Sequence, residues 1–209
     1  METQDKARQQ YNERYAGETY YWSTSPSPIC FEILRQMPPT KHLRVLDIGC
    51  GEGRNAVFLS RNGYEVHAFD ISDEGVKKTM ALATRAGVSV RAFTADLSEY
   101  RLDQSYDILF STGVLHCLAP TIRDEVLENY KNNTNQGGLN VFSVFVKKPF
   151  IATAPDADPN GHEWRSGELL AKYHDWLVEW SIEEIFDCMS SGVPHRHCVN
   201  RVIARKVAS

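Results

Sequence analysis

The chain has 209 residues, 42% of them hydrophobic, 11% aromatic and 24% charged, with a formal net charge of −4. That apolar and aromatic content excludes an intrinsically disordered chain, and the length suits one domain burying roughly 70% of its unfolded surface. No apolar run approaches the roughly 20 residues of a membrane helix; the densest, residues 141–146, is strand-sized. The first residues, Met1 to Lys6, are polar and lack the apolar stretch of a secretory signal, so a cytoplasmic setting is expected.

The acidic balance argues against a nucleic-acid partner, because duplex binders carry a basic face. Lys77-Lys78 and Lys147-Lys148 are too short to supply one. The expected partner is a small molecule, with no membrane contact and with monomer and homodimer both open. Five cysteines (Cys30, Cys50, Cys117, Cys188 and Cys198) are odd in number and show no CxxC spacing, which reads as free thiols.

In chain order, residues 3–15 are expected to form a polar N-terminal helix. Ser25-Pro26-Ser27-Pro28 supplies a cap and early-turn prolines for a helix to about Met37, and Pro38-Pro39 stops it. The apolar run 43–48 reads as a buried strand, followed by a glycine-rich turn and a helix over 54–62 closed by Gly63. A second strand over 64–69 ends at Asp70. Ser72 then caps a helix with Val76, Met80 and Ala83 on its apolar face, ending at Gly87.

Strands follow over 88–93 and 106–110. Thr121 with Asp124 resembles a capping box ahead of Ile122, Val126 and Tyr130, and Gly137-Gly138 turns into a fifth strand over 139–146. This alternation implies right-handed crossovers and a doubly wound, mostly parallel α/β sheet with helices on both faces. Beyond the turn-forming stretch 156–161, a short helix near 167–173 precedes two strand-like runs, 176–186 and 198–206. Ser190 to Pro194 separates them, so they read as a closing hairpin; Trp176 and Trp180 fall on one strand face. With no repeat or linker, one domain spans 1–209, with residues 1–40 as a helical extension or lid.

The informative feature is Val45-Leu46-Asp47-Ile48-Gly49-Cys50-Gly51-Glu52-Gly53, where the first strand passes into a helix. Ligands of open α/β sheets bind outside the carboxyl ends of the strands, and glycines there allow close backbone approach. The spacing is G-x-G-x-G, not the G-x-G-x-x-G of dinucleotide binders, and Asp47 inside the motif disfavours a pyrophosphate but suits an ammonium group. Asp70 closes the second strand, where a carboxylate can take both hydroxyls of a ribose. Asp96 closes the third, where it can accept from an adenine amine. Each acid alone would read as an ordinary helix cap; three consecutive strand ends carrying turn, acid and acid favour a ligand site.

The run from Val45 to Asp70, with Asp96-Leu97, Tyr106-Asp107-Ile108-Leu109 and Gly137-Gly138, resembles class I S-adenosylmethionine-dependent methyltransferases. More narrowly, Gly51-Glu52-Gly53-Arg54-Asn55, Asn62-Gly63-Tyr64-Glu65-Val66 and Ser111-Thr112-Gly113-Val114-Leu115 resemble the TehB-like tellurite-resistance methyltransferases. Gly167-Glu168-Leu169-Leu170 and Ala204-Arg205-Lys206 fit that family too. The resemblance implies a seven-stranded Rossmann-like sheet with an antiparallel last strand and S-adenosyl-L-methionine as cofactor. It would place Gly49, Cys50, Gly51, Gly53 and Asn55 along the cofactor and Asp47 near its methionine amino end. Asp70 would hold the ribose, Asp96 and Leu97 would read the adenine beside Ile71, and Ser111 and Val114 would lie under the methionine part.

Methyl transfer from a sulfonium needs alignment of the nucleophile and exclusion of water; a base is needed only where the acceptor must lose a proton. Ser111-Thr112-Gly113-Val114 is not the Pro-Pro motif of exocyclic-amine methylation, and no Pro-Cys dipeptide offers a cytosine nucleophile. A small acceptor is therefore expected, with a tellurite or selenite oxyanion or a small thiol as candidates. Tyr20-Tyr21-Trp22 either forms an aromatic lid, since aromatic faces attract a sulfonium, or anchors the N-terminal segment. His116 follows the fourth strand. The family places His and Arg near the closing hairpin as substrate contacts, which makes His195 and Arg196, with His116, the candidate catalytic groups.

Trp164 and Arg165 offer further reach toward the pocket. His195, His197 and Cys198 with His174 or Cys188 carry zinc-type ligands. An H-x-H on a strand, however, sends both rings to one face and Cys198 to the other, so no metal is expected. Two other readings stay open: a non-catalytic S-adenosylmethionine-binding module, and a nicotinamide-dependent oxidoreductase that would also use Asp70.

Overall fold

A computed structural model describes residues 2–155, 157, 161–190 and 192–207; most of the expected turn-forming stretch 156–161 lies outside them. The chain forms two compact units, residues 1–100 and 101–209.

In the first unit, α1 (Glu2–Tyr15) and α2 (Ile29–Gln36) precede β1 (Arg44–Ile48), α3 (Arg54–Arg61), β2 (Glu65–Asp70), α4 (Asp73–Ala86) and β3 (Val90–Thr94). The strands run in the order β3-β2-β1, all parallel. Val45, Leu46, Ile48, Val66, Ala68 and Phe69 are buried, which is why these strands read as unbroken apolar runs rather than alternating ones. Burying each large side chain contributes about 1.5–3 kcal/mol.

The α4 boundaries follow the expected chemistry. The Ser72 hydroxyl accepts from Gly75 N at 3.0 Å, and Gly87 ends the helix at φ 66°. The apolar face differs from expectation: Met80 is exposed, whereas Gly75, Val76, Thr79 and Ala83 are buried. The helix is rotated so that the short Thr79 side chain, not Met80, meets the glycine turn.

The second unit holds β4 (Tyr106–Thr112), α5 (Arg123–Asn132), β5 (Thr134–Phe145), α6 (Glu168–Ala171), β6 (Leu177–Cys188) and β7 (His195–Arg205). The order is β4-β5-β7-β6, with β5 parallel to β4 and β7 antiparallel to both its neighbours. The closing hairpin is therefore present and only β7 is reversed. The seven strands, three and four in the two units, make up the expected seven-stranded, doubly wound Rossmann-like class with its antiparallel last strand.

Three local expectations are corrected here. Gly137-Gly138 does not precede β5 but lies inside it, at a bulge where Tyr106 pairs Thr134 and Ile108 pairs Leu139. A Cβ on Gly138 would sit 2.7 Å from the carbonyl oxygens of Asn135 and Asp107, so only glycine fits. The capping box does not form: Thr121 lies in a 3-10 turn (Pro120–Ile122), and α5 begins without a side-chain cap. Trp176 precedes β6, where it meets Tyr173 edge-on with ring centroids 5.5 Å apart, and a register shift between Val178 and Trp180 breaks the shared face.

Trp164 is fully buried. Its indole donates to Leu115 O at 3.2 Å, and the Arg123 guanidinium stacks on its ring at 4.2 Å. Trp164 thus anchors the segment ahead of α6 instead of presenting its ring at the surface.

Candidate functional site

The sharp turn between β1 and α3 requires left-handed backbone at Gly49, Gly51 and Gly53, with φ of 71°, 54° and 88°. Gly49 N and Cys50 N both donate to Phe69 O, at 2.8 and 2.9 Å, which fastens the turn to the end of β2. Asp70 completes the fastening: Oδ2 accepts from Gly51 N at 2.8 Å and Oδ1 from Ser72 N at 2.9 Å. From the other side, Thr79 Oγ1 donates to Gly51 O at 3.1 Å. A Cβ on Gly53 would come within 2.7–2.8 Å of Thr79, so this glycine is required by α4 as well as by its φ.

Two buried carboxyls stand at this turn. Burial, followed by the nearby Asp70 charge, pushes Asp47 up to about 7, against the pull of Arg54 and a backbone N–H of Ala56. Asp47 Oδ2 is buried and has no hydrogen-bond partner. Burial also pushes Asp70 up to about 6, resisted by the N–H groups of Ser72, Gly51 and Ile71. Burial pushes the Cys50 thiol well above its usual value, so it is a packing group beside Thr79 and not a nucleophile.

The segment from Tyr15 to Ser27 straps across the turn. Glu52, itself buried, accepts from Trp22 N at 3.2 Å and from Lys78 Nζ at 2.9 Å. Arg54 Nη1 donates to Trp22 O at 2.9 Å, and Lys78 Nζ to Thr19 O at 2.7 Å. Trp22 Nε1 donates to the Tyr15 hydroxyl at 3.0 Å, and that hydroxyl would lie 3.3 Å from a Cβ on Gly51. Asn12 Oδ1 accepts from the Ser72 hydroxyl at 2.7 Å.

Of the aromatic trio, Trp22 alone lies over the turn. Tyr20 accepts from Arg85 Nη2 at 2.6 Å, and Tyr21 meets Trp22 edge-on with ring centroids 4.7 Å apart. The sequence reading missed Tyr15, Asn12, Glu52 and Arg54. One signal was available for Tyr15, the aromatic that ends an otherwise polar helix; among the described side chains of α1 it is the single buried one.

Asn55 Oδ1 accepts from Ser27 N at 2.8 Å and Cys30 Sγ at 3.4 Å, holding the start of α2. Ile71 is half-buried beyond Asp70. Asp96 Oδ1 accepts from Ser98 N and Ser98 Oγ, both at 2.7 Å, capping the turn that buries Leu97.

In the second unit, Ser111 is fully buried near the end of β4, and Val114 opens a 3-10 turn carrying His116. His116 packs edge-on to Phe145, with ring centroids 5.1 Å apart. Phe145 also contacts His197 at 4.7 Å, while His195 pairs with Cys188 across the hairpin. Arg196 is exposed, opposite Asp187.

The strand order within each unit, the glycine turn and the acid closing β2 define the class I methyltransferase fold. The chain belongs to the family described as "Tellurite resistance protein TehB", whose profile matches residues 11–189. It is 32% identical over 145 residues to "Hemagglutinin 1" of Eikenella corrodens, covering 69% of this chain and 46% of that one. It is 27% identical over 133 residues to "Probable S-adenosyl-L-methionine-dependent methyltransferase TehB" of Haemophilus influenzae, covering 64% and 46%. The chain thus spans about half the length of the curated relatives it matches. The crystal structure of TehB from Haemophilus influenzae superposes with a TM-score of 0.76 at 21% identity, covering 95% of this chain and 66% of that one. Among the described residues no helix is long and apolar enough to cross a membrane.

Proposed function

We propose that the chain is an S-adenosylmethionine-dependent methyltransferase acting on a small-molecule acceptor. The observation that carries this reading is the Asp70 carboxylate locked to the glycine turn through Gly51 N. Two carboxylate oxygens offer about four acceptor positions; the N–H groups of Gly51, Ser72 and Ile71 take part of that capacity. The remaining capacity suits a ribose hydroxyl donor. The unpartnered Asp47 Oδ2 suits an ammonium group, and Asp96, with Oδ1 committed to Ser98, keeps Oδ2 for an exocyclic amine.

Bound S-adenosylmethionine would supply an electrophilic methyl carbon on a sulfonium. Residues 1–40 act as the lid, with Tyr15 and Trp22 as an aromatic wall over the turn; such faces favour positive charge and keep water out. Glu52, Arg54 and Lys78 hold that wall in place. Gly49, Gly51, Gly53, Ile71 and Leu97 complete the cofactor contacts proposed for the first unit, while Asn55 and Cys50 hold the surrounding packing. His116, His195 and Arg196 are the acceptor-side groups.

A soft oxyanion or thiolate presents its own lone pair and needs no base, so alignment is the main demand on the protein. Tellurite, selenite and small thiols are the acceptors of choice. The test is release of S-adenosylhomocysteine by purified protein offered each in turn. Turnover with one of them supports the reading; cofactor binding without turnover on any acceptor leaves a binding module instead.

A further inference from the structure

The tip of the β6–β7 hairpin gathers three side chains that can ligate a metal. Cys188 and His195 are cross-strand partners, and His197 lies two residues along the same face. The ligand atoms of the three lie within 4.8 Å of one another, and each residue is half-buried. The two imidazoles are in direct contact, with His195 Nε2 and His197 Nε2 3.0 Å apart. From this geometry we propose that Cys188 Sγ, His195 Nε2 and His197 Nε2 form a three-ligand site for a zinc-type divalent ion, with one exchangeable coordination position.

Three further observations fit that assignment. His195 Nδ1 lies 2.7 Å from Val193 O. A carbonyl can only accept, so Nδ1 carries the proton and Nε2 presents its lone pair toward the cluster. An imidazole oriented by a backbone carbonyl in this way is the usual support of a metal-bound histidine. The Cys188 sulfur sits 3.2 Å from the Ser190 hydroxyl, which can donate to a thiolate. Phe145 and Phe186 flank the His197 ring at 4.7 and 5.6 Å, fixing its plane with apolar walls.

Tetrahedral zinc, with bonds of about 2.0 Å to nitrogen and 2.3 Å to sulfur, sets its ligand atoms about 3.3–3.6 Å apart. The imidazole pair already stands near that spacing, and all three ligand atoms lie within 4.8 Å of one another. On binding, the thiol proton of Cys188 leaves to solvent, the proton between the two imidazoles moves to Nδ1 of His197, and three protein ligands leave a fourth position for water or an anionic ligand. The expectation of no metal rested on Cys198, which is buried and falls on the opposite strand face from His195 and His197; Cys188 takes its place.

The three ligands lie on the hairpin; because His195 is also a proposed acceptor-side group, the metal site is tested by metal binding and not by turnover. The test is titration of the full chain with cobalt(II) in a non-thiol reductant, followed by displacement with zinc(II). The expected result is one equivalent bound with a thiolate-to-cobalt charge-transfer band. Cys188→Ser abolishes the band, His195→Asn and His197→Asn each weaken binding at least tenfold, and Cys117→Ser changes neither. In the unmodified protein, zinc should also slow alkylation of Cys188 at least tenfold, a readout that requires no variant to fold. A band that survives Cys188→Ser, or alkylation of Cys188 at one rate with and without zinc, overturns the proposal.

Discussion

The backbone N–H of Gly51 donates to the Asp70 carboxylate at 2.8 Å, so the residue that closes β2 also sets the shape of the turn after β1. A side chain that shapes the site and is proposed to bind the ribose has two measurable roles. Asp70→Asn directs an amide nitrogen at one of two N–H donors, Gly51 or Ser72, leaving that donor buried and unpaired. The expected loss is about 1–3 kcal/mol of stability, read by urea denaturation. S-adenosylmethionine affinity should fall at least tenfold, read by calorimetry. Wild-type values for both would separate Asp70 from the turn and from the cofactor.

Stability should depend on pH through the two buried carboxyls. Asp47 is raised to about 7 and Asp70 to about 6, from an ordinary value of 3.8. Between the ordinary and the raised values the folded state holds more protons than the unfolded one, so stability falls as pH rises through that window and levels off above it. The urea midpoint of the ligand-free protein should therefore be higher at pH 5 than at pH 7.5. Asp47→Asn should flatten the difference.

Cofactor binding should show the opposite trend. A diol donates to the ionised form of Asp70, so affinity should weaken as pH falls through about 6 and hold steady above it. Calorimetry across pH 5 to 8 checks this, and a profile without that break would place the diol elsewhere.

Two left-handed glycines separate strain from crowding. A Cβ on Gly87 meets nothing within 4 Å, whereas one on Gly53 meets Thr79 at 2.7–2.8 Å, including its Cα. Gly87→Ala should cost about 1 kcal/mol from the backbone alone. Gly53→Ala should cost roughly 2–5 kcal/mol, adding displacement of α4 to the same strain. Equal losses in denaturation would contradict the close packing of turn and helix.

What the sequence made legible was what local chemistry determines. Ser72 and Gly87 mark the ends of α4 because a hydroxyl cap and a left-handed residue act within a few positions. The glycine turn, the acid ending β2 and Asp96 in the turn just past β3 were visible for the same reason. Features set by contacts distant in sequence were not visible. Thr79 faces inward in place of Met80 because the glycine turn leaves room only for a short side chain. Trp22 is held at the turn by Glu52 and Arg54, and Tyr15 by Trp22, pairings that no spacing announces. Cys188 joins His195 and His197 only through the hairpin register, which places it opposite His195.

In the second unit, Arg123 is almost fully buried. It donates to Leu118 O, to His162 O and to Glu168 Oε1 at 2.8 Å, and stacks on Trp164. Arg123→Ala strands Glu168 and uncovers the indole, and should cost about 3–5 kcal/mol. Arg123→Lys should recover only part of this, since an ammonium cannot reach three acceptors in one plane. Full recovery by lysine would show that charge, not the planar fork, holds the segment.

The central claim is that the turn, Asp70 and the lid bind S-adenosylmethionine. Its most direct test is calorimetric titration of the purified chain with S-adenosylmethionine and S-adenosylhomocysteine, with NADH as control. Micromolar binding of the first two and none of NADH is the predicted result. No binding of either, or binding of NADH in their place, would contradict the account.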